Sequence, residues 1–327
     1  MSRLVEGEWI ADADLETDED GEFQRQEQAF RNRLGPDGSF PIEAGRYHLY
    51  ICRACPWAHR VAMTRALKGL DDAISLSLVQ PERYDEGWEF SDEHSDPLYG
   101  EAYLREIYVR ADSDFTGRPT VPVLWDTETE TIVNNESAEI MRMLDVAGDE
   151  LATRDVDLYP EGYRDEVDRL IDDIYDPINN GVYRAGFADS QAAYDEAVTE
   201  LFDALDRYDD RLANQRYLAG DRLTEADLAM FATLVRFDHV YHTIPTTFAK
   251  DYRGVDDPRP EKWKRLRDYD NLLNYTRDIY QTDSIDRTVN MDHIVRHYAS
   301  PGSPNLDTHD PDDIDLGLTE PHGRDNL

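Results

Sequence analysis

Positive charge is what this 327-residue chain has least of: 34 Lys and Arg stand against 71 Asp and Glu, giving a net charge of −37. So negative a surface is unsuited to neutralising phosphates, which argues against nucleic acid and anionic membranes as partners. Only four of the cations are lysines: Lys68, Lys250, Lys262 and Lys264. A carboxylate-rich, lysine-poor surface suits molar salt, as in halophiles, where screening suppresses the self-repulsion that would otherwise loosen the fold. The alternative is an acidic disordered chain, and the 40% hydrophobic and 10% aromatic content argues against it. Long apolar runs are lacking too. No stretch approaches the roughly 18 residues of a membrane span, and residues 1–20 are acidic where a secretory leader would be basic and then apolar. A soluble, cytoplasmic protein of two domains is expected from this length and composition.

Cysteine is also scarce. Cys52 and Cys55 are too few for a disulfide framework, and a staple between them would close almost no loop, so their proximity suggests chemistry.

Residues 1–40 read as an acidic arm with a short helix around Phe23 to Arg33. The segment GRYHLYICRA then reads as a strand running into CPWAHRVAMTRALKGL, a helix that Gly69 ends. ISLSLVQ is a second strand, Glu101 to Val109 a helix, TVPVLWD and ETETIVNN a strand pair, and ESAEIMRMLDVA a helix. Residues 41–150 thus spell βαβαββα, an α/β order that fits the thioredoxin arrangement among others. From 160 to 300 the pattern is helical throughout, with helices expected at 164–178, 191–212, 224–240, 262–280 and 292–298. Thr224 and Asp227 are spaced to form a capping box, with Leu223 packing on Leu228. Residues 301–327, rich in Pro, Gly, Asp and Asn, read as coil over the surface or as a mobile tail.

Cys55 falls where the first strand meets the first helix and precedes Pro56 at a favoured early helical position. Backbone N–H groups at such a helix start stabilise a thiolate, and cysteines placed there titrate anywhere from roughly 3.5 to 7.5. The plainer reading is a small buried hydrophobe. A dithiol with Cys52 is disfavoured: a resolving cysteine belongs three residues after the attacking one, at Ala58, whereas Cys52 lies upstream. His48 and His59 are near in sequence, but the spacing matches no zinc pattern, and no metal is expected. His239/His242 and His293/His297, at helical spacing, read as surface or packing residues.

Val121-Pro122 puts a proline beside a strand, where a cis peptide at an edge leaves backbone groups of Val121 for an extended, peptide-like ligand near Cys55. An ordinary edge-strand proline is the alternative. Glu136 and Ser137 open a second helix with a carboxylate, a hydroxyl and backbone donors suited to a ligand carrying amine and carboxylate. Simple capping by Ser137 also explains that pattern.

Cys55-Pro56-Trp57, Val121-Pro122 and Glu136-Ser137, in this order before a helical half, resemble a glutathione transferase. GRYHLY, CPWAHR, Gly87-Trp88, GRPTVPVLWD, IVNNES, INNGVYRAGFA and RDIYQ narrow the resemblance to the Xi class, the glutathionyl-hydroquinone reductases, over roughly residues 25 to 300. The resemblance implies a thioredoxin-like domain and an all-helical transferase domain, usually dimeric, that reduce S-glutathionyl-hydroquinones with a second thiol and no bound cofactor. It makes Cys55 the nucleophile. Trp88, Arg118, Val121, Glu136 and Ser137 match thiol-holding positions, and Tyr183 and Tyr280 match tyrosines that line the hydroquinone pocket and assist proton transfer. Cys52 replaces a usually small residue, and a Cys52–Cys55 disulfide would make activity redox-sensitive. In a salt-loving cell the thiol could be γ-glutamylcysteine in place of glutathione. An Omega-like thiol transferase or dehydroascorbate reductase, and a non-catalytic binding module on the same fold, are the competing readings.

Overall fold

The computed structural model describes residues 2–11, 17–35, 38–243, 264–301 and 314–327. They form two units, each drawing on three stretches of chain: Met1–Leu15, Gln26–Asp157 and Arg287–Ser303 in the first, Glu16–Arg25, Leu158–Asp286 and Pro304–Leu327 in the second.

The first unit opens with a hairpin, β1 (Arg3–Val5) and β2 (Glu8–Ile10), within the stretch read as an acidic arm. It continues with β3 (Tyr47–Ile51), α1 (Pro56–Leu67), β4 (Ile74–Leu78), α2 (Leu104–Ala111), β5 (Val123–Asp126), β6 (Thr131–Asn134) and α3 (Ser137–Val146), the expected βαβαββα order. The sheet order is β4-β3-β5-β6, with β3 parallel to β4 and antiparallel to β5, and β6 antiparallel to β5. Central β3 is buried at every residue, which is why YHLYI reads as a run rather than an alternation. Helices α1 and α3 pack on each other, and α9 (Met291–Tyr298) also belongs to this unit.

The short helix expected at Phe23 to Arg33 does not form. Those residues run without regular structure, and part of them lies along the open edge of the sheet. Arg31 bridges Asn134, Asn32 N donates to Val133 O at 3.0 Å, and Asn135 N donates to Phe30 O at 3.1 Å. Backbone pairing with an otherwise bare edge strand overrides the helix-compatible composition of RQEQAFRNR.

The second unit contains α4 (Arg164–Ile174), α5 (Gly181–Phe187), α6 (Gln191–Leu212), α7 (Glu225–Arg236) and α8 (Asp270–Tyr280). The expected helix 164–178 is α only to Ile174 and then widens into a π turn over Tyr175–Asn179, where Pro177 cannot donate a helical hydrogen bond. A second π turn, Phe237–Tyr241, follows α7. The helix expected from 262 starts at Asp270, after a 3-10 turn at Leu266–Asp268; residues 262 and 263 lie outside the described set. The capping box is present, with Thr224 N and Thr224 Oγ both donating to Asp227 Oδ2 at 2.8 and 2.9 Å. Asp227 Oδ1 accepts from Leu218 N and from Tyr275 OH, so this buried carboxylate ties three segments together. The described part of the C-terminal stretch is irregular but anchored: Ile314, Leu316 and Arg324 are buried, and Arg324 donates to the carbonyls of Leu212, Gln215 and Arg216. No helix among the described residues is long and apolar enough to cross a membrane.

Candidate active site

Cys55 is the N-cap of α1. Its backbone is extended at φ −73°, ψ 121°, Pro56 follows in the first turn, and no side chain caps the helix start. The residue is 9% exposed, and its thiol points at Val121 O, 3.7 Å away. The Val121-Pro122 peptide is cis, as expected at this edge. Strand β5 begins immediately afterwards beside β3, so sheet register sets the Cys55–Val121 approach.

Cys52 takes a different direction. It is fully buried, and its sulfur faces Gln80 O at 3.9 Å, just past β4. Because β4 and β5 flank β3 on opposite sides, the two thiols are directed to carbonyls on opposite flanks of the central strand. Cys52 and Cys55 are not joined in a disulfide.

The loop before Pro122 is held from the arm. Arg118 N donates to Gln26 Oε1 at 2.9 Å, and Thr120 Oγ donates to Gln28 Oε1 at 3.0 Å. The buried Tyr108 hydroxyl donates to Thr120 O at 2.8 Å and accepts from Asn135 Nδ2 at 3.1 Å. Burial raises its pKa, so it stays a donor.

Glu136 and Ser137 sit where the sequence puts them, at the start of α3. Glu136 caps the helix by accepting from Ala138 N at 3.1 Å. Capping therefore falls to Glu136, while Ser137 has another partner. Arg60, buried on α1 five residues after Cys55, donates to Ser137 Oγ from Nε at 3.1 Å and Nη2 at 2.7 Å, and lies 3.5 Å from Glu136 Oε1. Sequence reasoning missed Arg60, because an arginine within an amphipathic helix reads as surface.

Trp88 follows Gly87, whose φ of +85° is left-handed and where a Cβ would come within 3.0 Å of Trp9. The Trp88 ring stacks on His297 of α9 at 5.0 Å between centroids, and the Arg83 guanidinium lies 5.5 Å from the ring centroid. Arg83 is a second residue the sequence reading missed. Burial and the Arg118 charge push its pKa down to about 10, against an opposing pull from Cys55.

His48 and His59 have structural partners. His48 Nδ1 bonds Ser75 Oγ at 2.7 Å, and burial pushes its pKa down to about 4; His59 Nε2 bonds Thr288 Oγ at 2.9 Å. His239, His242, His293 and His297 are all buried, which settles the choice between surface and packing. Among the described residues no group of three His, Cys, Asp or Glu could hold a metal ion.

In the second unit Tyr183 lies on α5, its hydroxyl 3.1 Å from that of buried Tyr241 and its ring 4.9 Å from the Arg25 guanidinium. Tyr241, in the π turn after α7, had no motif to single it out. Tyr280 is the half-buried last residue of α8.

Two family models match: glutathione S-transferase, N-terminal domain, over residues 54–147, and glutathione S-transferase, C-terminal domain, over residues 191–277. The glutathionyl-hydroquinone reductase YqjG of Escherichia coli is 45% identical over 342 aligned residues, covering 99% of each chain. A glutathione-bound structure of that protein superposes with a TM-score of 0.82 and 42% identity over 99% of each chain. A Xi-class glutathione transferase from Natrialba magadii gives a TM-score of 0.87 at 53% identity, over 100% of this chain and 97% of that one.

Proposed function

The chain belongs to the glutathione S-transferase family, within the Xi class of glutathionyl-hydroquinone reductases, and from that membership we propose that it reduces S-conjugated hydroquinones with a low-molecular-weight thiol. The observation that carries the reading is Cys55 at an uncapped helix start, with its thiol toward Val121 O and the charge of Arg83 acting on it.

In the proposed reaction the Cys55 thiolate attacks the thioether sulfur of the conjugate. The sulfur–aryl bond breaks, its electron pair stays on the ring carbon, and a proton delivered there completes the free hydroquinone. Cys55 is left in a mixed disulfide with the thiol. A second thiolate attacks that disulfide, releasing the oxidised thiol dimer and restoring Cys55, so no second protein cysteine is needed. Tyr183 and Tyr280 are proposed to move the proton between phenolic oxygen and ring, since a tyrosine hydroxyl both donates and accepts. Trp88, Arg118, Val121, Glu136 and Ser137 are proposed to hold the thiol, with Glu136 and Ser137 on its γ-glutamyl end. Glutathione and γ-glutamylcysteine share that end and both fit the reading. We place the enzyme in the cytoplasm of a salt-adapted cell, as a homodimer.

The test is single-turnover reaction with an S-glutathionyl-hydroquinone in high-potassium buffer, following hydroquinone release and intact mass, with Cys55→Ser alongside. Release with one thiol adduct confined to Cys55 is expected. Exchange of simple mixed disulfides without hydroquinone release would sink the reductase reading in favour of an Omega-like thiol transferase.

A further inference from the structure

Residues 3–10 lie outside the stretch matched by either family model, yet they reach the chain next to Trp88 and next to Arg118. The hairpin they form is short and sharply set. Glu6 at φ +49° and Gly7 at φ +78° make its two-residue turn, and a Cβ on Gly7 would fall 2.1 Å from Ser113 O. One edge of β1 pairs with β2, and the other pairs with the loop after α2. Leu4 N donates to Gly117 O at 2.9 Å, Gly117 N donates to Leu4 O at 3.0 Å, Glu6 N donates to Thr116 Oγ1 at 2.8 Å, and Gly7 N donates to Phe115 O at 3.1 Å. Directly opposite Leu4 in the hairpin register stands Trp9. Its indole Nε1 donates to Asp85 O at 3.2 Å, and its ring takes the space that a Cβ on Gly87 would need. The Arg105 guanidinium on α2 lies 4.8 Å from the centroid of that ring and donates to Glu86 O and, at 2.6 Å, to Glu86 Oε2. Tyr84, Asp85 and Glu86 are exposed, so their own burial does little to fix this turn, and Trp9 and Arg105 supply contacts that do. One cross-strand pair therefore reaches two loops: Leu4 the one that leads through Arg118 to Val121, Trp9 the one that ends at Trp88.

We propose that the β1–β2 hairpin is a positioning element for thiol binding, in which Trp9 and Leu4 hold the Trp88 and Val121 loops in the arrangement the thiol needs before it arrives. The proposal rests on the reading of Trp88, Arg118 and Val121 as thiol-holding residues. Leu4 and Trp9 act through those loops and not by touching the thiol. Their effect is preorganisation: a loop already held in place does not have to be ordered at the expense of affinity. Linkage makes the effect reciprocal, so a thiol that binds better to the held loops also tightens the hairpin that holds them.

The experiment uses an unreactive probe, S-methylglutathione, with the full chain and the variants Trp9→Ala and Trp9→Phe. Calorimetry reads probe affinity, the rate of alkylation by iodoacetamide reads Cys55 on α1, and hydrogen exchange reads the amides of Leu4, Glu6, Gly7 and Gly117. Trp9→Ala should weaken the probe about tenfold, and Trp9→Phe, which keeps a ring but not the hydrogen bond to Asp85, about twofold, with Cys55 alkylated at the wild-type rate in both. In wild type, saturation with the probe should slow exchange of the four hairpin amides severalfold. Unchanged affinity in Trp9→Ala would overturn the proposal. Equal changes in probe affinity and in the Cys55 alkylation rate would also overturn it, since they mark a generally loosened fold, as would hairpin amides that exchange alike with and without the probe. The exchange measurement needs no variant, so it decides the matter even where Trp9→Ala does not fold. A wild type that fails to bind the probe would bring down the thiol-holding reading and this proposal with it, whereas binding that ignores the hairpin brings down this proposal alone.

Discussion

Arg60 and Ser137 join the two helices that frame the candidate thiol site: both Nε and Nη2 of a buried guanidinium on α1 donate to a single hydroxyl at the first turn of α3. Glu136 lies 3.5 Å from the same guanidinium, so three side chains from two helix starts form one unit. Replacing Arg60 with Met removes the charge while keeping most of the volume. It leaves Ser137 without its donors and Glu136 without its cation, and the expected cost is about 1–3 kcal/mol of stability. The thiol KM should rise about tenfold with a smaller change in kcat, because the proposed γ-glutamyl subsite is displaced while Cys55 is not. Denaturant melts and thiol titrations check both parts, and a fall in kcat at constant KM would contradict the assignment.

Cys52 and Cys55 face carbonyls on opposite flanks of β3, so the variant Cys52→Ala should leave hydroquinone release and sensitivity to peroxide near those of wild type. Mass spectrometry of oxidised wild type should show sulfur oxidation or thiol adducts at Cys55, without the two-hydrogen loss of an internal disulfide. Finding that loss in folded protein would mean the strand end rearranges on oxidation.

Burial pushes the Asp227 carboxyl up to about 6, above the ordinary value of 3.8 for this group. Between those values the folded state keeps a proton that the unfolded chain has released, so raising pH through this window favours unfolding. Asp227→Asn removes the titration but leaves one acceptor oxygen where two served four donors, and is expected to cost about 1–3 kcal/mol. The stability advantage of wild type over the variant should be greatest near pH 4, shrink up to about pH 6, and be flat above pH 7. Urea melts at several pH values check this, and a difference independent of pH would refute it.

With 71 acids against 34 bases, self-repulsion should dominate stability at low salt. Raising KCl from 0.1 M toward 2 M shortens the Debye length from about 10 Å to below 3 Å. The melting temperature should climb by several degrees over that range, and a flat or falling trend would remove the salt-adapted reading.

Much of this architecture could be read in advance, and the gaps have a pattern. The βαβαββα order was legible because strand and helix periods alternate cleanly from Tyr47 to Val146, and Cys55, the cis Val121-Pro122 peptide and the Glu136 helix start are each marked by local chemistry. What escaped depends on partners distant in sequence. Phe30 to Asn32 became an edge segment because β6 offered unpaired backbone groups about a hundred residues later. Arg60 and Arg83 looked like surface cations, since nothing within a few residues says what covers them. Capping by Ser137, the plainer of the two readings of that helix start, gave way to capping by Glu136 because Arg60 engages the serine hydroxyl. The π turn at Tyr175–Asn179 escaped for another reason: Pro177 signals an interruption, but not whether the helix ends or widens.

The arm along β6 also imposes an order of events on a growing chain. Asn32 O waits for Asn134 Nδ2, 102 residues later, and Gln28 waits for Asn135. At a synthesis rate of about 5–20 residues per second that interval is roughly 5–20 s, during which Phe30 stays in water and the loop at Arg118 to Pro122 has no arm to hold it. The first residues made are therefore among the last to dock. Thiol affinity would then be acquired at the end of assembly, when the arm closes the sheet, and not when the sheet itself first forms.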